Sequence, residues 1–194
     1  MQATLKSIRY ADGGNAVCLR VQAEDDICLY RITARDYEAL GTPAAGTPLD
    51  GDALAALDEA AGTYAARTRA LRMLAYGDNS EKGLLRKLRA RGTDPDAAAA
   101  AVREMRERGY IREDEQAYRL VLREANTKLR GPRRILAELV QKGYSPETAR
   151  KAIARAEAEG EVDFDEIAAR LIEQKLGPDP DREEEAALLW KQGF

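Results

Sequence analysis

The sequence predicts a mainly α-helical protein: tandem three-helix, helix-turn-helix-like repeats preceded by a small N-terminal β-rich unit. Three observations predict it. The first is a period. Gly92 and Gly143, Val102 and Ile153, Gly109 and Gly160, and Asp114 and Asp165 are each 51 positions apart, and self-similarity at such a spacing marks stacked helical modules. The second is composition: 44% hydrophobic and 34% charged residues, rich in Ala, Leu, Glu and Arg, is a soluble helical profile. The third is that short runs of β-branched and apolar residues are confined to residues 4–34.

Within those residues TLKSIRY, NAVCLRVQA and DICLYRIT read as three strands. Asp12-Gly13-Gly14 is a hairpin signal between the first two, and Glu24-Asp25-Asp26 makes the second turn. Ile27, Leu29 and Arg31 alternate with Cys28, Tyr30 and Ile32. Thr33 is placed to cap a short helix through Leu40. Gly41–Gly51, GTPAAGTPLDG, is a loop of turn residues, and Asp52 starts a helix to about Ala61. The division expected is an N-terminal unit over 1–62, helical repeats over 63–112 and 113–163, and a partial third repeat over 164–194.

From Thr63 onward only helices are expected. Tyr64–Tyr76 opens the first repeat, with Ala70, Leu71 and Leu74 inward. Ser80 caps Glu81–Arg91, where Leu84, Leu85 and Leu88 face in. Pro95–Arg108 carries Ala98, Val102 and Met105 at helical spacing. In the second repeat Asp114 opens a helix burying Ala117, Leu120 and Val121. Pro132 suits the first turn of the next helix, because its missing N–H would be unpaired there. Ile135, Leu136, Leu139 and Val140 share one face of it; Arg133, Arg134, Glu138 and Lys142 take the other. Gly143 supplies a left-handed cap, and Ser145 with Pro146 starts the helix to Glu159. In the third repeat Asp165–Lys175 aligns Ala168, Leu171 and Ile172 with Ala117, Leu120 and Val121, and Arg182–Gln192 is the last helix.

Catalytic chemistry finds little support. The chain has no histidine, which removes His-based general bases, Ser-His and Cys-His nucleophile pairs and imidazole metal sites. Acid groups such as Glu113-Asp114-Glu115 and Glu183-Glu184-Glu185 sit where a helix N-terminus favours negative charge. Asp163, Asp165 and Glu166 lack the glycine and spacing of a calcium loop. Gly131-Pro132-Arg133-Arg134 has no GK[ST] and no preceding strand, so it is not a phosphate loop. Cys18 and Cys28, both in strands, read as small buried apolar residues of a reducing compartment. No catalytic, metal or cofactor residue is expected. No run reaches about eighteen apolar residues and the N-terminus lacks a signal-peptide pattern, so a cytoplasmic protein without a membrane partner is expected.

Charge is more informative. The net charge of -3 hides an alternation. Residues 1–62 hold five Lys/Arg against ten Asp/Glu, 63–92 eight against two, 93–127 six against eight, 128–155 eight against two, and 156–194 four against twelve. The two basic blocks occupy similar places in the two repeats, and basic blocks attract phosphates or acidic protein surfaces. Candidate binding residues in the first are Arg67, Arg69, Arg72, Lys82, Arg86, Lys87, Arg89 and Arg91. Those in the second are Lys128, Arg130, Arg133, Arg134 and Lys142.

Three phrases, in this order, resemble the RecX family: NSEKGLLRKLRARG (Asn79 to Gly92), ERGYIREDEQAYRLVLRE (Glu107 to Glu124) and KLRGPRRILAELVQKGYSPE (Lys128 to Glu147). LLWKQGF resembles the corresponding end of the third repeat. The likeness covers roughly Ala65 to Phe194. Two positions depart from the family pattern, Glu113 where Asp is usual and Gln116 where an aromatic is usual. The resemblance implies an elongated, curved helical array without an active site or cofactor. It implies a monomer that binds the RecA-type recombinase filament on single-stranded DNA and modulates or inhibits its ATPase and strand exchange. DNA, single- or double-stranded, is a further expected partner.

Two other readings stay open on the residues alone. A plain nucleic-acid-binding module would lose binding steeply with salt, although the chain lacks interleaved aromatics for base stacking. A helical scaffold for another protein would bind that protein without any filament.

Overall fold

The computed structural model describes residues 3–24 and 26–194; Asp25, assigned above to the second hairpin turn, lies outside them. Tertiary contacts divide the chain into two compact units. Unit one gathers Met1–Met73 and Leu85–Met105, and unit two Leu74–Leu84 and Arg106–Phe194.

Unit one begins with an antiparallel sheet of β1 (Ala3–Ala11), β2 (Ala16–Ala23), β3 (Asp26–Thr33) and β4 (Pro48–Leu49), in the order β3-β2-β1-β4. Asp12–Gly14 forms the turn from β1 to β2, with Gly13 at φ 65. The pairing of β1 with β2 shifts register between Leu5 and Ser7. The inner face buries Leu5, Val17, Leu19, Val21 and Ile32 against Tyr37, Leu49 and Leu57. On β3 the alternation puts Ile32 inside and leaves Leu29 79% exposed. Helix α1 (Ala34–Ala39) is capped by Thr33, whose hydroxyl accepts from the Asp36 N–H while the Asp36 carboxylate accepts from the Thr33 N–H.

Four expectations fail in this part of the chain. The segment read wholly as loop contains β4, held because the Leu5 N–H donates to the Thr47 carbonyl at 3.0 Å and the Gly46 N–H to the Leu5 carbonyl at 2.7 Å. A two-residue strand is too short to show alternation. The two helices expected over 52–61 and 64–76 are one, α2 (Gly51–Tyr76). Asp50 caps it, accepting from the Ala53 N–H at 2.8 Å. Gly62 costs about 1 kcal/mol against Ala in a helix, but Leu57 on one side and Ala66, Ala70 and Met73 on the other are buried and hold both halves. Leu71 and Leu74, expected inside, are only half-buried. Cys18 and Cys28 are free and also half-buried rather than buried.

The remaining helices are α3 (Glu81–Ala90), α4 (Pro95–Glu107), α5 (Glu113–Asn126), α6 (Pro132–Lys142), α7 (Pro146–Ala158), α8 (Phe164–Leu176) and α9 (Arg182–Gln192). Burial follows the 51-residue period. Leu84 and Ile135, Leu88 and Leu139, Ala98 and Ala149, and Val102 and Ile153 are all buried. In unit two, α5, α6 and α7 enclose Val121, Ile135, Leu139, Tyr144 and Ile153, and α8 adds Ile167 and Leu171. The register of α8 differs from expectation. Ile167 and Leu171, not Ala168 and Ile172, are its buried positions, so α8 aligns with Ala117 and Val121 at a spacing of 50, as Gly193 does with Gly143. Val140, expected inside on α6, is 43% exposed.

Unit two contains the same joint twice. The Ser80 hydroxyl donates to the Lys142 carbonyl at 2.8 Å and accepts from the Gly83 N–H at 3.0 Å. At the matching place the Gly131 N–H donates to the Gln192 carbonyl at 2.8 Å, and the Arg133 N–H to the Gly193 carbonyl at 3.1 Å. Each joint satisfies N–H groups that a helix start leaves without partners. Gly143 (φ 101) must be glycine: a Cβ there would lie 2.6 Å from Ser80 Oγ and 2.8 Å from the Gly83 nitrogen.

Candidate functional site

The first basic block splits between framework and surface. Arg67 pairs with Glu104 at 3.3 Å, with both side chains mostly covered. Arg69 donates to the Thr93 hydroxyl at 2.7 Å and so fixes the turn between α3 and α4. Lys82, Arg86, Lys87 and Arg89 are exposed on α3, and Arg91 is exposed in the turn that follows. Cations in the last turn of α3 also complement its macrodipole, a contribution of a few tenths of a kcal/mol, roughly 0.3–1.

Arg72 is exposed on α2 and lines a groove in unit one with Leu29, Arg31, Tyr64, Thr68 and Arg69. Arg31 pairs with Asp12 at 2.7 Å and lies over the Tyr64 ring at 5.5 Å. Hydrogen bonds from Arg31 and then Tyr64 hold the Asp12 carboxyl below its ordinary value. Sequence reading had not counted Arg31, because it lies outside both basic blocks.

The second block is largely engaged inside unit two. Glu124 is 0% exposed. It accepts from Arg130 at 2.6 Å, Lys128 at 2.9 Å and Arg123 at 3.1 Å. Burial pushes its carboxyl up, but the hydrogen bonds from Lys128 and Arg123 and the charge of Arg130 outweigh that and hold it below the ordinary value. Arg130, itself only 17% exposed, also reaches Glu138 at 2.8 Å. Arg133 stacks over Trp190 at 4.5 Å, and Arg134 donates to the Lys191 carbonyl at 2.8 Å. Of this block Lys142 is exposed without such a tie. Glu124 was legible: it stands seven residues after Ala117, on the inward face, with cations at 123, 128 and 130.

Asp163, considered above as a cation ligand, caps α8 by accepting from the Asp165 and Glu166 N–H groups. Among the described residues no group of three or more His, Cys, Asp or Glu side chains is arranged to hold a metal ion. No helix there is long and apolar enough to cross a membrane.

Sheet, helix triplets and basic surface together define a helical-repeat protein with a β-rich N-terminal unit. Residues 66–105 match the family model described as RecX, first three-helix domain. Over 131 residues the chain is 38% identical to the regulatory protein RecX of Xanthomonas axonopodis pv. citri (strain 306), covering 65% of this chain and 78% of that one. It is 37% identical over 131 residues to the regulatory protein RecX of Stenotrophomonas maltophilia (strain R551-3), covering 65% and 77%. A crystal structure of a regulatory protein RecX has the same fold at a TM-score of 0.73, with 22% identity, over 99% of this chain and 94% of that one. The chain belongs to the RecX family.

Proposed function

We propose that this protein regulates recombination by binding a RecA-type recombinase filament on single-stranded DNA and lowering its ATPase and strand-exchange activity. The observation that supports this best is the surface of α3 and its following turn. Lys82, Arg86, Lys87, Arg89 and Arg91 are all exposed there, within the residues that match the RecX family model. Such a row can face DNA phosphates or an acidic protein surface without any base readout. The chain acts in the cytoplasm as a monomer, and its repeats over 63–112, 113–163 and 164–194 each offer a contact. Several weak contacts on neighbouring subunits raise the effective concentration of the next.

The test is a titration of the protein into a RecA-type recombinase on single-stranded DNA, following ATP hydrolysis. A fall at well under one molecule per recombinase subunit supports the proposal. No effect on hydrolysis, together with direct salt-sensitive DNA binding, would replace it with the plain nucleic-acid module.

A further inference from the structure

We propose that the free edge of β3 in unit one takes an extended acidic segment of a partner protein as an added strand. This goes beyond the recombinase reading and does not depend on it.

The sheet treats its two edges differently. At one edge β4 is two residues long and holds Pro48; short strands and prolines keep an edge from pairing further. At the other edge β3 is eight residues long and has no proline, and its register with β2 runs without a shift. In an antiparallel pair, residues that bond the neighbouring strand alternate with residues whose N–H and C=O point away from it. The Ala34 N–H donates to the Asn15 carbonyl at 3.0 Å, which sets the phase. Partners run from Ala16 with Thr33 to Ala23 with Asp26. Ile32, Tyr30 and Cys28 therefore bond β2, while Thr33, Arg31, Leu29 and Ile27 turn their backbone groups outward. The Asp36 carboxylate accepts from the Thr33 N–H at 3.3 Å. Among the described residues nothing pairs with the outward groups of Ile27, Leu29 and Arg31.

The side chains beside this edge say what would pair with it. Leu29 is 79% and Ile27 48% exposed. Leu29 and Arg31 face α2 across the groove, which has a volume of about 410 Å³ and whose far wall includes Ala61, Tyr64, Arg69 and Arg72. Three arginines and no acid line it. Arg31 is held by Asp12. Arg69 bonds only neutral oxygens, those of Thr93 and Arg91. Arg72 has no carboxylate partner among the described residues. Two cations without counter-charge beside an unpaired edge fit a strand that carries carboxylates: main-chain bonds supply affinity, and side chains select the sequence. A second copy of this chain would bring its own Arg31, Arg69 and Arg72 to the same edge, and like charges oppose that pairing.

The test uses the full chain without recombinase or DNA. Two short labelled peptides are titrated by fluorescence anisotropy, one alternating valine with glutamate and one alternating valine with lysine. Amide hydrogen exchange of β3 is followed by NMR. The glutamate peptide binds at roughly 0.1 mM or tighter, and the lysine peptide about tenfold more weakly or not at all. Binding slows exchange at Ile27, Leu29 and Arg31, whose N–H groups are open, and leaves Cys28 and Tyr30 as they were. Leu29→Pro removes an N–H that β2 does not use, a place where an edge strand tolerates proline, and lowers affinity about tenfold. Arg72→Glu, an exposed change on α2 that spares the sheet, also lowers it about tenfold. Equal binding of the two peptides, no binding, or binding that leaves those three amides exchanging as before overturns the proposal. So does protection of the same amides that rises with protein concentration in the absence of peptide, which would assign the edge to a second copy.

Discussion

The first and second helix triplets bury matching positions 51 residues apart, yet they treat one of them in opposite ways. Ala66 and Ala117, Ala70 and Val121, and Leu88 and Leu139 are buried pairs. One turn beyond the second of these, the first triplet buries Met73 and the second buries Glu124. An ionised carboxylate in that place needs partners, and Arg123, Lys128 and Arg130 supply them. At 77 and 79 the first triplet has Gly and Asn in place of Lys128 and Arg130. The two basic blocks, so alike in sequence, therefore differ in kind. The second partly neutralises a buried charge, while the α3 end of the first is exposed.

The largest effect should follow from breaking that buried cluster. Glu124→Ala leaves three cations facing an empty core position and should cost roughly 3–5 kcal/mol of stability, read by urea unfolding. Installing the first triplet's residues at both places, Glu124→Met with Arg130→Asn, should recover much of the loss, because the most buried cation leaves with its acid. A loss under about 1 kcal/mol for Glu124→Ala would mean the cluster behaves as a surface network.

The equivalent glycines provide a second contrast. Gly92 (φ 72) has nothing within 4 Å of a built Cβ, whereas Gly143 (φ 101) abuts Ser80 and Gly83. Gly92→Ala should cost about 1 kcal/mol for left-handed backbone alone. Gly143→Ala should cost about 2 kcal/mol more for the overlap. Equal losses in thermal unfolding would show that the Ser80 joint yields without penalty.

Titration distinguishes the triplets more gently. The Glu124 carboxyl is held below its ordinary value of 4.5. Its stabilisation is thus complete above 4.5 and is lost as pH falls through the lower folded value. The stability gap between the parent chain and Glu124→Gln should narrow in acid; a gap independent of pH would contradict this. Asp12 in unit one is also held low, but it is exposed and solvent screens its contribution. In alkali the two units behave alike. Tyr30 in unit one and Tyr144 in unit two are both raised from 10.0 to about 12, chiefly by burial, so each stabilises below 10 and loses that as pH rises toward 12.

Much of this architecture was legible because turn residues punctuate it. Pro132 and Gly143 bound α6 where expected, and Arg182–Gln192 was read to the residue. Gly62 misled, since a glycine ends a helix only where the chain needs a left-handed turn, and α2 does not turn there. The α8 register was missed because its apolar residues fit two phases one residue apart, and only packing chooses between them. The basic blocks were visible, but a cation's sequence neighbours do not reveal whether it points at solvent or at a buried acid 6 residues away, as Arg130 does.

The smallest stability effect should come from the α3 residues proposed to bind. Arg89→Glu and Lys82→Glu alter exposed positions on α3, so each should change stability by no more than about 0.5 kcal/mol. Together they should weaken association with the recombinase filament and flatten its salt dependence, since fewer cations meet phosphates or acids. Reversing Arg133 and Arg134 is a poorer experiment. Arg134 holds the Lys191 carbonyl and Arg133 covers Trp190, so those changes should loosen α9 as well as alter charge. Filament binding that survives the α3 reversals but fails with Arg133→Glu and a native helical spectrum would move the contact surface to the second triplet.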